Sequence, residues 1–310
     1  MIDDESETQQ DCSDYPLHKA TRESDIDKLN ALLEAGANSN ERDEDGRTPL
    51  FYAANEGNSR AITMLLDAGA DINLKDRRGF APLHVAASIN VNGDAIKTLL
   101  LAGANIEETS DEELPPLHVA AVCNGQSEAI DTLIAFGAFL EPHDSKHHTP
   151  LHFAAIEGNG IAIASLLAAG VNNESRNENG QTPLHYASID GHNEVIALLL
   201  DSGADINARD THSRTPLHAA AIAGCSEGIC SLLAAGANIK ARDKNGLTPL
   251  HDAALGGHSE AITALLDAGA DARLKVGDLT PLDFIEEDSP LYKSPVWWRL
   301  RDAQFNGPQK

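Results

Sequence analysis

The chain has 310 residues and a formal net charge of −25, from 23 Lys and Arg against 48 Asp and Glu. So acidic a surface repels phosphate backbones and anionic lipid, which speaks against nucleic acid or membrane as a partner. Aromatic residues are only 4% of the chain, sparse for one large packed core, and no apolar run approaches the ~18 residues of a membrane-spanning helix.

Residues 1–14 (MIDDESETQQDCSD) are acidic and polar, lack the basic and apolar pattern of a signal peptide, and are expected to form a disordered tail. The cysteines, Cys12, Cys123, Cys225 and Cys230, show neither a CxxC pair nor framework spacing, so no disulfide scaffold, zinc site or cofactor is expected. A reduced cytoplasmic compartment fits this usage; export by a route that needs no N-terminal signal stays open.

From residue 15 onward one pattern recurs. The string TPLH begins at Thr149, Thr182, Thr215 and Thr248, with relatives beginning at Tyr15, Thr48, Ala81, Pro115 and Thr280. The shared prolines, Pro16, Pro49, Pro82, Pro116, Pro150, Pro183, Pro216, Pro249 and Pro281, lie 33, 33, 34, 34, 33, 33, 33 and 32 residues apart. A glycine keeps step with them: Gly36, Gly69, Gly103, Gly137, Gly170, Gly203, Gly236 and Gly269 each close a Leu-rich run. The distance from each Gly to the next Pro is 13 residues, 12 in the last case. The extra residues of repeats three and four therefore widen a turn inside the unit, around 90–93 and 124–126. A fixed period of this length signals a stack of small supersecondary units.

One unit illustrates the local chemistry. Thr248 can cap a helix whose first residue is Pro249, where a missing N–H costs nothing. Small Ala253 and Ala254 allow close helix approach, and Gly256-Gly257 ends the segment. A second helix from about Ser259 carries Ile262, Leu265 and Leu266 on one face. Gly269 supplies the left-handed residue that stops it. The polar stretch between units reads as an extended finger with a tight turn at its tip, such as Asp243-Lys244-Asn245-Gly246.

A 33-residue period, a turn with two helices and a T-P-L-H-x-A signature resemble the ankyrin repeat over about residues 15–285. The resemblance implies an all-α fold, an α-solenoid with short β-turn fingers, in a single elongated, curved domain. Fingers and first helices would line its concave side. The domain plan is then a tail at 1–14, about nine repeats at 15–285, and a capping segment at 286–310. In the family, the repeat Thr and His tie a finger to adjacent helices. That role carries over to Thr149 and His152, Thr182 and His185, Thr215 and His218, and Thr248 and His251. It is incomplete where Ala81, Pro115 or Tyr15 replaces Thr, or Phe51 replaces His, so repeats five to eight are expected to be the most regular. Lys19, Arg22, Glu23, Asp25 and Lys28 give repeat one a polar cast suited to an end. At the other end, Trp297, Trp298 and Leu300 are expected on a helix that covers the last repeat.

Thirteen histidines look catalytic until they are mapped. Seven are the repeat His (His18, His84, His118, His152, His185, His218 and His251), each in its own unit. His143, His147 and His148 share one finger with Asp144, and are expected at a solvated tip rather than around a metal. No phosphate loop GxxxxGK[ST], GxSxG elbow or HExxH is present, and Cys225 and Cys230 are not paired as a nucleophile site, so no enzyme is indicated.

A binding surface does emerge, in two parts. The residue after the paired small residues of each first helix is expected to point into the groove. It is Val122, Ile156, Ile189, Ile222 and Leu255 in repeats four to eight, but Arg22, Asn55 and Ser88 in repeats one to three. The other part is charge: the first four fingers hold 6 basic and 13 acidic residues, the last four 8 and 7. Arg209, Arg214, Lys240, Arg242, Lys244, Arg273 and Lys275 line the far half. Together they predict a monomeric, non-catalytic scaffold or adaptor that holds another protein through an amphipathic or carboxylate-bearing segment. Two other readings are an antitoxin-like inhibitor that masks a basic protein, and a secreted bacterial-type effector acting on host proteins.

Overall fold

The computed structural model describes residues 15–89, 93–123 and 127–306. The expected tail at 1–14 and most of both widened turns lie outside them. Contacts divide the described chain into two compact units, one up to Leu140 and the other from Glu141 onward. Both are built from helix pairs joined by fingers.

The first unit contains α1 (Pro16–Arg22), α2 (Ile26–Glu34), α3 (Pro49–Asn55), α4 (Ser59–Asp67), α5 (Pro82–Ser88), α6 (Asp94–Leu101), α7 (Pro116–Val122) and α8 (Glu128–Ala135). The second contains α9 (Pro150–Ile156), α10 (Gly160–Ala168), α11 (Pro183–Asp190), α12 (Asn193–Asp201), α13 (Pro216–Ala223), α14 (Ser226–Ala234), α15 (Pro249–Leu255) and α16 (Ser259–Asp267). A short 3-10 helix (Pro281–Phe284) and α17 (Pro295–Asn306) follow. Every first helix begins at the repeat proline. Within each unit, odd-numbered helices stack on odd, and even-numbered on even. The core is their shared interior, where one Leu of each first helix (Leu151, Leu184, Leu217, Leu250) and an Ile–Leu pair of each second helix (Ile163 and Leu166, Ile262 and Leu265) are almost fully buried. Ala154, Ala155, Ala220, Ala221, Ala253 and Ala254 are also buried, which lets the first helices approach closely.

The repeat histidines tie one unit to the next. His152 Nδ1 accepts the Thr149 backbone N–H at 3.1 Å and faces its hydroxyl at 2.9 Å. Its proton therefore sits on Nε2, which donates to Gln181 O of the following finger at 3.1 Å. His185 repeats this with Thr182 and Arg214 O, and His218 with Thr215 and Leu247 O. His251 keeps both Thr248 contacts. Its Nε2 finds no hydrogen-bond partner among the described residues, because the last finger is one residue shorter and folds onto itself through Val276 and Leu279.

The first unit shows how each departure is accommodated. Ala81 keeps the backbone half of the tie, its N–H reaching His84 Nδ1 at 3.1 Å, but has no hydroxyl. With Phe51 in place of His, Thr48 Oγ1 accepts the Phe51 N–H instead, at 3.3 Å. His18 donates to Arg47 O at 3.1 Å while its Nδ1 is buried without a hydrogen bond. Pro115 has no N–H to offer at all.

Fingers are joined tip to tip. Arg77 N–H donates to Asp45 O, and in the second unit Glu178 N–H to Lys146 O, Thr211 N–H to Asn179 O and Lys244 N–H to His212 O, all at 2.9–3.0 Å. A left-handed residue makes each tip, as at Gly246 (φ 85°).

At the far end α17 packs on α16 and on the short helix. Leu300 covers the end as expected, but Val296 rather than the tryptophans accompanies it. Val296 and Leu300, one helical turn apart, are buried, whereas Trp297 is half-buried and Trp298 is 43% exposed. Adjacent residues on a helix lie about 100° apart, so a stripe through Val296 and Leu300 leaves the tryptophans at its margin. They pack on each other and on Tyr292, with the Arg301 guanidinium over both rings.

Candidate binding face

In the second unit the apolar column grows more exposed along the chain. Ile156 and Ile189 are half-buried, Ile222 is 38% exposed and Leu255 59%. The later residues thus carry free apolar surface that the earlier ones use in packing. Val122, in the first unit, is half-buried; there Arg22 is exposed, Asn55 is half-buried, and Ser88 bonds back to Val85 O at 2.8 Å.

Two histidines outside the repeat motif hold the column in place. His192 Nε2 lies 3.0 Å from Ile156 O, and His258 Nε2 2.8 Å from Ile222 O, so each occupies a carbonyl in the last turn of a first helix one repeat before its own. Gly158 (φ 68°) makes room: a Cβ there would lie 2.5 Å from the His192 ring. Sequence reasoning overlooked these residues, although the Gly-His dipeptides at Gly191-His192 and Gly257-His258 recur two repeats apart.

Beside the column, nearer the fingers, runs a second row: Phe153, Tyr186, Ala219 and Asp252. Tyr186 Oη lies 2.9 Å from Asn177 Nδ2 and 3.0 Å from His148 Nε2, and His148 Nδ1 lies 2.9 Å from Asp144 Oδ2. This corrects the expectation of three solvated histidines on one tip. His143 and His147 are exposed, but His148 is 9% exposed and belongs to a buried polar network. The network is fed by Asn177 and Tyr186, some 29 and 38 residues further along.

The basic finger residues fall into two sets. Arg209 Nη1 donates to Ser213 O within its own turn and to Arg242 O of the next finger, and Arg242 Nη1 to Gly246 O and Lys275 O. Arg176 makes the same two-point tie. Arg273 is held by Asp271 at 2.8 and 3.1 Å. Lys240, Lys244 and Lys275 are exposed and make no ion pair among the described residues. Arg214 is half-buried, and its Nε is buried without a hydrogen bond. Of the seven predicted cations, the lysines are the ones whose charge is uncommitted among the described residues.

Burial also sets the protonation states. His152, His218 and His251 are each pulled down to about 4, chiefly by desolvation. His18, His84 and His185 are lowered for the same first reason. Asp252 is pushed up to about 7 by burial, with nearby Arg214 pulling the other way and Asp243 adding to the rise.

Among the described residues no group of three His, Cys, Asp or Glu is placed to hold a metal, and no helix is long and apolar enough to cross a membrane. An open groove of about 650 Å³ lies between α14 and α16, lined by Ser226, Cys230, Ser259, Glu260, Thr263 and Asp267 among others. Asp267 there is paired with Arg299 of α17.

Residues 2–76, 83–175, 159–243 and 210–276 match a family model described as ankyrin repeats, three copies. A search of curated proteins found no match.

Proposed function

The chain belongs to the ankyrin repeat family, whose members generally bind other proteins, and from that premise we propose that it is a non-catalytic scaffold whose second unit holds an acidic, amphipathic protein segment. The apolar side of the segment lies on Ile189, Ile222 and Leu255, and its carboxylates face Lys240, Lys244 and Lys275. The observation that carries this reading is the coincidence of two gradients. Apolar exposure rises toward Leu255, and the uncommitted lysines sit on the fingers of the same repeats. Desolvated apolar contact supplies affinity in such an arrangement, while the lysines supply orientation and association rate.

The paired variants Ile222→Asp with Leu255→Asp and Lys240→Glu with Lys244→Glu test it, since all four side chains are exposed. Crosslinking mass spectrometry with the intact chain identifies the partner and the face it touches. Both variants are then expected to lose that same partner by tenfold or more, the lysine pair with a weakened salt dependence. Equal recovery by the intact chain and both variants would remove this face from consideration.

A further inference from the structure

Asp252 stands in α15 at the position that holds Tyr52, Phe153 and Tyr186 on other first helices. It is 3% exposed, and its Oδ2 is buried with no hydrogen-bond partner among the described residues. A carboxylate in that state is costly unless it is neutral or finds a donor. Arg214 stands on its finger where His148 does and Asp252 where Tyr186 does, and that pair meets at 3.0 Å across the same 38 residues; Arg214 Nε, too, is buried without a partner. The preceding helix has small Ala219 where α11 has Tyr186, so no aromatic hydroxyl occupies this level of the row.

The other charges around Asp252 are settled. Asp243, on the finger before α15, is a fixed acceptor whose Oδ1 takes the N–H groups of Asn245 and Leu247 at 2.8 Å each. Arg209 and Arg242 are bound to finger carbonyls, and Asp210 holds the Arg214 N–H at 2.8 Å. On α13, His218 faces Thr215, and on α15 itself His251 Nδ1 faces Thr248 while its Nε2 is buried without a hydrogen bond. Both rings are neutral near pH 7. The short helix Pro281–Phe284 brings Asp283, engaged by Thr280 N–H and Oγ1. The buried face of α16 brings Ala261, Ile262 and Leu265. Among these acids and guanidinium groups, Asp252 and Arg214 are the two with buried polar atoms left to exchange.

We propose that Asp252 and Arg214 form a proton-controlled latch beneath the binding face of the second unit. With Asp252 protonated, the Arg214 guanidinium is left to meet a partner's carboxylate. When the proton leaves to solvent, Arg214 Nε–H turns onto Asp252 Oδ2 and the cation is withdrawn. The balance is close because Arg214 favours the ionised acid while Asp243 and burial oppose it, so the switch lies near neutrality. Its consequence for binding rests on the proposed function above, but the latch itself does not need a partner to be seen.

The test is an NMR titration of the free full-length chain between about pH 5 and pH 9, following the Asp252 carboxyl carbon and the Arg214 Nε–Hε pair. The expected result is one shared midpoint near neutrality in both signals. The Arg214 response should vanish in Asp252→Asn, and the Asp252 midpoint should move higher in Arg214→Gln. An Asp252 midpoint below about 5, or an Arg214 signal that ignores pH while Asp252 titrates, overturns the latch. The wild-type titration separates these outcomes even where a variant misfolds. Failure of the binding face reads separately, as unchanged partner recovery by the Ile222 and Leu255 variant.

Discussion

The two units are assembled from the same helices and differ in how their fingers are secured. From Thr149 to Leu247, three consecutive histidines each take a threonine on one ring nitrogen and the next finger's carbonyl on the other. Before Leu140 every repeat departs from this pattern: Ala81 offers only its N–H, Phe51 replaces the ring, Tyr15 leaves His18 Nδ1 without a hydrogen bond, and Pro115 has no N–H. In a repeat array each repeat is secured by its own bonds and those to its neighbours, so a missing tie is felt locally. The regular unit can then carry exposed apolar residues such as Ile222 and Leu255, because its fingers do not depend on them.

Acid should act most strongly on this difference. His152, His218 and His251 titrate near 6.5 when unfolded and near 4 when folded. The unfolded chain therefore binds protons first, and stability present above pH 6.5 is lost as pH falls toward 4. The full loss is on the order of 3 kcal/mol for each histidine. Asp252 has the opposite sign: its folded value lies above its ordinary 3.8, so it costs stability as pH rises toward about 7, an effect too small to cancel three histidines. Hydrogen exchange at pH 7.5 and pH 5 should show the second unit losing most of its advantage over the first. A loss confined to the first unit would break the comparison.

Next in size are exchanges of the tie itself. Thr182→Val, which removes a buried hydroxyl from His185, should cost about 1–2 kcal/mol. Ala81→Thr supplies the hydroxyl missing beside His84 and should return up to about 1 kcal/mol to the first unit. Denaturant melts of both variants check the pair; a destabilising Ala81→Thr would mean that the site has no room for the hydroxyl. Arg209→Ala removes two bonds to finger carbonyls on an exposed side chain and should cost about 1 kcal/mol. The same change at Lys244, which makes no ion pair, should cost under about 0.5 kcal/mol.

The smallest signal comes from the tryptophans. Both belong to the second unit, so their emission reports its melting alone, while far-UV ellipticity reports all helices. If the first unit opens first, the fluorescence midpoint will lie a few degrees above the ellipticity midpoint. Coincident curves would mean that the two units melt together.

Much of the candidate face was legible in the residues themselves. The column Ile156, Ile189, Ile222 and Leu255 follows from the repeat register, and the basic fingers follow from counting. What escaped was the division among those cations. Arg209 and Lys240 look equivalent on paper, yet one is bound to carbonyls of two fingers and the other is free. His148 looked like its neighbours His143 and His147, and His192 and His258 looked incidental.

The period, the helix starts at proline, the glycine stops and the ankyrin family were determined by the sequence alone, because each rests on interactions within a few residues and is written again in every repeat. Only the tertiary structure decided which cations are already bound, which histidines are buried, and that Asp252 Oδ2 and Arg214 Nε are both buried without a hydrogen bond. Those outcomes depend on side chains about 30 to 40 residues away. At that distance a single substitution in one repeat changes the surroundings of the next.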